Sequence, residues 1–148
     1  MNEGRQHQAR GTRTEAKVTS ELIALGHGVS APMFGNERYD LIVDLDGELE
    51  RVQVKTAYDH HQRGDTVVVG FESTVYQSNG APKKTYYQAD EIDSYIVYCP
   101  KRDSTLYVPF EETPRTQMSF SFRGKDRYNS HNRKAIHFAE DYEIETRL

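Results

Sequence analysis

The sequence predicts a single mixed α/β domain. Three observations carry that prediction: one amphipathic helical stretch near the N-terminus, a strand–turn–strand signal soon after it, and further strand-type runs spaced through the rest of the chain. Residues 1–10 lack periodicity and are expected to form a flexible N-terminus, leaving 11–148 as the domain. Over residues 12–27, Val18, Leu22 and Leu25 recur at helical spacing, and Gly26 and Gly28 supply stop signals. Residues 29–34 read as a first strand, ending at Gly35-Asn36.

The strongest local signal follows. Tyr39, Leu41, Val43 and Leu45 alternate with period two, then come Asp46-Gly47, then a second alternating run over 49–56. Asp-Gly between two such runs predicts a two-residue type I′ hairpin. With Asp46 and Gly47 as the loop, Leu45 pairs with Glu48, Leu41 faces Val52 and Asp40 faces Gln53. Residues 66–72 are β-branched and predict another strand. Residues 78–84, rich in Gly, Pro and Lys, predict a loop, and residues 87–93 a short helix. Residues 95–98 predict a buried strand stopped by Pro100, and 106–110 a further strand after the polar turn 101–104. Residues 111–130 are rich in Thr, Ser, Arg and Gly and predict a loop. There is no internal repeat and no domain linker.

The hairpin register has a chemical consequence. Opposed residues have Cβ atoms about 4.5–5.5 Å apart on one face, and Lys55, two residues beyond Gln53, shares that face. An acid, an amide and an ammonium group therefore converge. Glu15 lies three residues before Val18, so it projects from the apolar stripe of the helix near its N-terminal end. A carboxylate there is costly unless it is paired, solvated or bound to a cation. Each residue alone has an ordinary reading: Asp40 as a cap, Lys55 as a solvent-facing strand position, Glu15 as a partner of Arg13 or Lys17. Together they have the layout of a metal-dependent phosphodiester-cleaving site.

The run Gly11-x-x-x-Glu15, a helix ending Leu25-Gly26-His27-Gly28, then Tyr39-Asp40-Leu41-Ile42, then Val52-Gln53-Val54-Lys55-Thr56 resembles the PD-(D/E)XK nuclease superfamily. The resemblance is closest over residues 10–57. It continues more weakly through residues 93–98, 107–109 and 132–142. Two branches are similar: the group I intron-associated homing endonucleases and the archaeal Holliday junction resolvases. Tyr39 stands where the motif has Pro, and Gln53 where it usually has its second acid; the intron-associated branch resembles this sequence in carrying Gln there. The resemblance implies a restriction-endonuclease-like core, a central mixed β-sheet flanked by helices. It implies Asp40, Glu15, Gln53 and the Val54 carbonyl as ligands of Mg²⁺ (or Mn²⁺), with Lys55 orienting the attacking water. It further implies cleavage of DNA that leaves a 5′-phosphate and a 3′-hydroxyl. Three classes stay open: a site-specific endonuclease of the homing type, a Holliday junction or branched-DNA resolvase, and a catalytically inactive DNA-binding protein.

Charge and composition bear on partners. The net charge is −4 with a pI near 5.9, which opposes DNA binding unless the cations are gathered. They cluster at Arg5, Arg10, Arg13 and Lys17, and again at Arg123, Lys125, Arg127, Arg133 and Lys134. Of these, Arg13, Lys17, Arg123, Lys125, Arg127 and Arg133, with Asn132, are the expected DNA contacts, and residues 111–133 the expected base-reading segment. Symmetric cutting of double-stranded or branched DNA predicts a homodimer or homotetramer. The single cysteine, Cys99, cannot form an internal disulfide and sits in an apolar strand, which predicts a core position and a cytoplasmic protein. No stretch approaches a membrane span or a signal peptide. His60-His61, with Asp59 and Asp65 nearby, suggests a metal site only if it lies in a loop, because adjacent histidines on a strand point to opposite faces, and no second Cys exists for zinc.

Overall fold

A hairpin register organises the sheet. The computed structural model describes residues 3–148, with the side chains of His7, Ser130 and Asn132 outside that description. In chain order the elements are α1 (Glu3–Ala24), β1 (Gly28–Ser30), β2 (Leu41–Leu45), β3 (Glu48–Thr56), β4 (Tyr58–Asp59), β5 (Thr66–Gly70), β6 (Ser73–Tyr76) and β7 (Pro82–Thr85). There follow β8 (Ser94–Cys99), β9 (Ser104–Pro109), β10 (Gln117–Ser121), α2 (Ser130–Arg133) and α3 (Ile144–Arg147), with single 3-10 turns between them. Asp46 and Gly47 take φ of 55° and 96°, the paired left-handed conformations that the turn requires. The Gly47 N–H also donates to Asp44 Oδ1 at 2.6 Å. Leu45 pairs with Glu48 and Leu41 with Val52, as the sequence predicts.

The main sheet runs β1-β2-β3-β8-β9. All its pairs are antiparallel except β3 with β8, which is parallel, so the sheet is mixed. The parallel pair is locked at its start. The Arg51 guanidinium donates to Asp93 Oδ2 at 3.0 Å and Oδ1 at 2.9 Å, and its own N–H to Oδ2 at 2.8 Å. Those bonds hold the Asp93 carboxyl below the usual carboxylate range.

Alternation divides the core in two. Val18 and Leu22 of α1 pack with Leu41, Val43, Val52, Val54 and Ile96 on one face of the sheet, joined by Ile144 of α3. On the other face Tyr95, Val97, Cys99, Leu106 and Val108 meet Val67, Val69, Met118 and Phe120. Those last four belong to a second sheet, ordered β10-β5-β4. Helices therefore cover one face and a small sheet covers the other. Cys99 is a core residue, and burial pushes its thiol up to about 12.

Several boundaries differ from the sequence reading. The first helix spans Glu3–Ala24, so residues 3–10 are helical; their polar composition has no apolar stripe to announce them. Residues 87–93 form a turn instead of a helix, closed by Glu91 N–H to the Gln88 carbonyl at 2.9 Å. The polar stretch 111–130 contains β10, whose Met118 and Phe120 alternate into the core. Residues 82–85, read as loop, are strand β7. Among the described residues no helix is long and apolar enough to cross a membrane.

Leu22 is fully buried between α1 and the sheet. Leu22→Ala is expected to cost about 2–5 kcal/mol, read as a lower urea midpoint with an unchanged slope. A loss under about 0.5 kcal/mol, the size of an ordinary surface substitution, would show that α1 is not anchored by this contact.

Candidate active site

Asp40, Gln53 and Lys55, which the hairpin register brings together, meet Glu15 of α1 at one end of the main sheet. β2 begins beside β3, where the Asp40 N–H donates to the Val52 carbonyl at 2.8 Å. The Asp40 carboxylate reaches further along β3 and accepts the Val54 N–H at Oδ2, 2.9 Å away. Leu41 and Val52 face α1, so Asp40, Gln53 and Lys55 face the other way by strand alternation. Glu15 arrives from α1, whose height is set by Val18 and Leu22 and by a 2.8 Å hydroxyl–hydroxyl bond between Thr14 and Thr56. Glu15, Asp40, Gln53 and Val54 line one open cleft of about 490 Å³.

The electrostatics follow from two acids sharing a partly dry site. Burial first, then the charge of Asp40 and a hydrogen bond to it, push Glu15 from an ordinary 4.5 up to about 7. Burial likewise raises Asp40, against the Val54 N–H, the Glu15 bond and the charge of Lys55, all of which favour its ionised form. The pair therefore holds on to a proton that separate carboxyls would release. Burial pulls the Lys55 ammonium below its usual range; Asp40 opposes that and Arg38 adds to it.

This donor set suits a hard divalent cation. Two carboxylates, with the Gln53 amide oxygen and the Val54 carbonyl as neutral candidates, are oxygen ligands of the kind Mg²⁺ or Mn²⁺ takes. The raised proton affinity of both acids reflects first their removal from water, a cost that a bound cation would offset. Among the described residues no group of three or more His, Cys, Asp or Glu side chains is arranged to hold a metal, so neutral oxygens and water must complete the shell.

A family model described as PD-(D/E)XK endonuclease matches residues 5–145. The chain belongs to the PD-(D/E)XK endonuclease family. It is therefore a nuclease, and its substrate class is DNA. Among solved structures, a bacterial homing endonuclease, I-Ssp6803I, superposes with a TM-score of 0.73 at 18% identity, covering 94% of this chain and 89% of that one. At that identity the likeness is one of fold. Comparison with curated protein sequences gave no match.

The expected DNA contacts of this endonuclease separate into two groups. Arg13 and Lys17 line a second cleft with Arg10, Tyr58, Tyr98 and Lys101. Thr14 and Thr56 are common to that cleft and the candidate one lined by Glu15 and Asp40, so the two adjoin. Lys17 is also 3.5 Å from both Glu21 and Asp103. The later cations line neither of these two clefts. Arg123 sits 5.6 Å from the Tyr128 ring centroid and lines a cleft with Arg63 and His137. Lys125 pairs with Asp141 at 2.5 Å. Arg133 Nε donates to the carbonyls of Lys125 and Tyr128, at 2.7 and 3.0 Å, which braces the intervening turn. Arg127 is exposed. The side chain of Asn132 lies outside the described residues. His60 Nδ1 accepts two backbone N–H groups of its own turn.

Two site residues escape the sequence reading. Tyr87 stands with its ring centroid 5.1 Å from Lys55 Nζ and 4.4 Å from Arg38 Cζ. Arg38 is held there by Glu91 Oε2 at 3.1 Å and by donation to the Tyr86 carbonyl at 3.2 Å. The spacing of Arg38, two before Asp40, carries a usable signal. Tyr87 carries none, because its approach depends on a contact across the fold.

The Glu15 shift gives a signed pH dependence. The folded chain keeps a proton on Glu15 up to about 7, whereas an unperturbed carboxyl releases it near 4.5. This group therefore lowers stability progressively as pH rises between those values. In protein freed of divalent cations by a chelator, Glu15→Gln is expected to gain stability over the unaltered chain across that interval and to hold the gain above it. The measurement is urea unfolding at a series of pH values. A constant offset between the two proteins would exclude Glu15 as the titrating group.

Proposed function

We propose that this endonuclease hydrolyses phosphodiester bonds in double-stranded DNA at preferred sites and requires Mg²⁺ or Mn²⁺. The observation that supports this reading best is the juxtaposition of Glu15, Asp40 and Lys55 at one sheet end. Asp40 and Glu15 would hold the cation, with Gln53 and the Val54 carbonyl as neutral ligands. When bound, such a cation supplies charge neutralisation at the phosphate and acidifies bound water.

The protein's own groups account for the rest. The Val54 N–H donates to Asp40 Oδ2 and so holds the carboxylate in place at the cleft. Lys55 Nζ brings positive charge to the scissile phosphate from a half-buried position, where that charge is weakly screened. Its depressed proton affinity also suits it to orient the attacking water and exchange a proton with it. Arg38, beside Tyr87, adds a second cation on the same side. Arg10, Arg13 and Lys101, in the adjoining cleft, are suited to hold flanking phosphates. A neutral Gln53 lowers the negative charge available to the cation, which favours a cation requirement at the higher end of concentration.

The test is cleavage of a linear duplex pool and a four-way junction with Mg²⁺ or Mn²⁺. Lys55→Ala and Asp40→Ala are each expected to lower cleavage by about 10³-fold or more, the scale of losing a principal catalytic charge, with circular dichroism unchanged. Discrete duplex cuts lost in both variants support the reading. Cuts confined to the junction would move the protein to the branched-DNA class. Unchanged cleavage by either variant would place the active site elsewhere, and binding without any cleavage would mark an inactive DNA-binding fold.

A further inference from the structure

β6 and β7 stand as a two-stranded sheet that, among the described residues, pairs with no other strand. Their register is Ser73 with Thr85, Thr74 with Lys84, Val75 with Lys83 and Tyr76 with Pro82. An isolated hairpin is marginal in water, so a ribbon left unsheltered by its own fold calls for an explanation. Its tip is nonetheless well formed. Gln77 N–H donates to the Ala81 carbonyl and Gly80 N–H to the Gln77 carbonyl, both at 2.9 Å, and Asn79 Oδ1 accepts the Ala81 N–H at 2.9 Å. Gly80 supplies the positive φ, 82°.

Three properties of this ribbon point to one occupant. The first is position. Its base is part of the catalytic surroundings: Ser73 is hydrogen-bonded to Tyr87, the ring beside Lys55. The next carbonyl back, that of Tyr86, accepts from Arg38. The second is charge. Residues 73–87 hold Lys83 and Lys84 and no Asp or Glu, in a chain of net charge −4. Lys84 is engaged by Glu72 at 3.0 Å, while Lys83 is exposed. The third is shape and chemistry. Each strand has four residues. At about 3.4 Å per residue that gives a ribbon on the order of 14 Å before its turn, longer than the roughly 8.5 Å depth of the DNA major groove. That groove admits a two-stranded ribbon, and amide side chains are the types that read adenine edges there. Tyr76, 76% exposed, and Gln77 occupy the end that would enter it.

We propose that the β6–β7 ribbon inserts into the major groove beside the scissile phosphate and sets base preference there, with Gln77 reading a base edge, Tyr76 packing on the groove floor and Lys83 holding a phosphate. The inference rests on the nuclease reading above and deepens it by assigning sequence selection to the ribbon instead of to residues 111–133. Much of that segment's expected recognition surface is occupied by β10 and by internal bonds of Lys125 and Arg133.

The experiment separates the two readings. Lys55→Ala protein, unable to consume its target, is used to select from a randomised duplex pool, and the bound DNA is sequenced. The same selection is repeated with Tyr76→Ala, Gln77→Ala and Lys83→Ala added, residues outside the catalytic cleft. The expected result is clear base enrichment with the first protein and a loss of roughly tenfold or more in that enrichment with the second, the scale of one bidentate base contact. Guanine N7 methylation, a major-groove probe, is expected to be blocked by the first protein and not by the second. Enrichment and protection that persist in the ribbon variant would overturn the inference while leaving the nuclease reading intact. Enrichment that vanishes with the ribbon, in a protein that never cleaves, would sustain the inference and sink the catalytic reading. A change of oligomeric state with base enrichment untouched would assign the ribbon to a protein contact and overturn it.

Discussion

A two-residue turn with both central residues at positive φ allows a hairpin little choice of register. Asp46 and Gly47 make that turn, and the pairing of Leu41 with Val52 follows from it. So does the division of side chains between faces. A slip of one residue would send Val52 and Val54 to the catalytic side and bury Gln53 and Lys55 against α1. Burying a lysine there, among Val18 and Leu22, would be prohibitive without a partner. The apolar pattern and the turn therefore enforce the same register. The geometry of the candidate site is a by-product of satisfying them.

The site keeps charge in a place that folding alone would avoid. Glu15 and Asp40 repel one another, and partial burial strengthens that repulsion. The Val54 N–H, a hydrogen bond shared between the two acids and the charge of Lys55 oppose it. Such an arrangement weakens the isolated fold, and under the proposed function a bound cation and a phosphate would relieve it together. The surrounding structure is correspondingly firm: the Arg51–Asp93 pair pins the parallel strand, and the Thr14–Thr56 bond fixes α1 beside it. The two acids stay at one cleft because the elements that carry them are fixed by packing against the sheet.

An acidic chain that acts on DNA has to gather its cations. Arg10, Arg13, Lys17 and Lys101 line the cleft next to the catalytic one. Arg38 and Lys55 share the ring of Tyr87, and the acid-free ribbon begins at that ring. Acids around the hairpin tip, Asp44, Asp46, Glu48 and Glu50, are at the opposite end of β2 and β3 from Asp40 and Lys55. The segregation gives a local field that attracts phosphate on one side of a molecule whose net charge would repel it.

What the amino-acid order determined by itself was local and periodic. The helix stripe, the Asp-Gly turn, the register it sets and the convergence of Asp40, Gln53 and Lys55 all arise from neighbours within a few residues or across one hairpin. Glu15 was legible because the stripe of α1 orients it. The elements that went unread are those whose stability comes from distant partners. Gln117–Ser121 is polar in every second position and becomes a strand only because Met118 and Phe120 find Val67 and Val69. Residues 82–85 resemble a loop until residues 73–76 pair with them. Tyr87 meets Lys55 through a turn that sequence periodicity described as helix. The roles of Lys125 and Arg133 were likewise decided by partners, Asp141 and two backbone carbonyls, that no spacing in the sequence announces. Period and turn chemistry act through short-range sterics, which a sequence displays; the choice of a long-range partner depends on what else is buried beside it, and only the folded chain makes that choice.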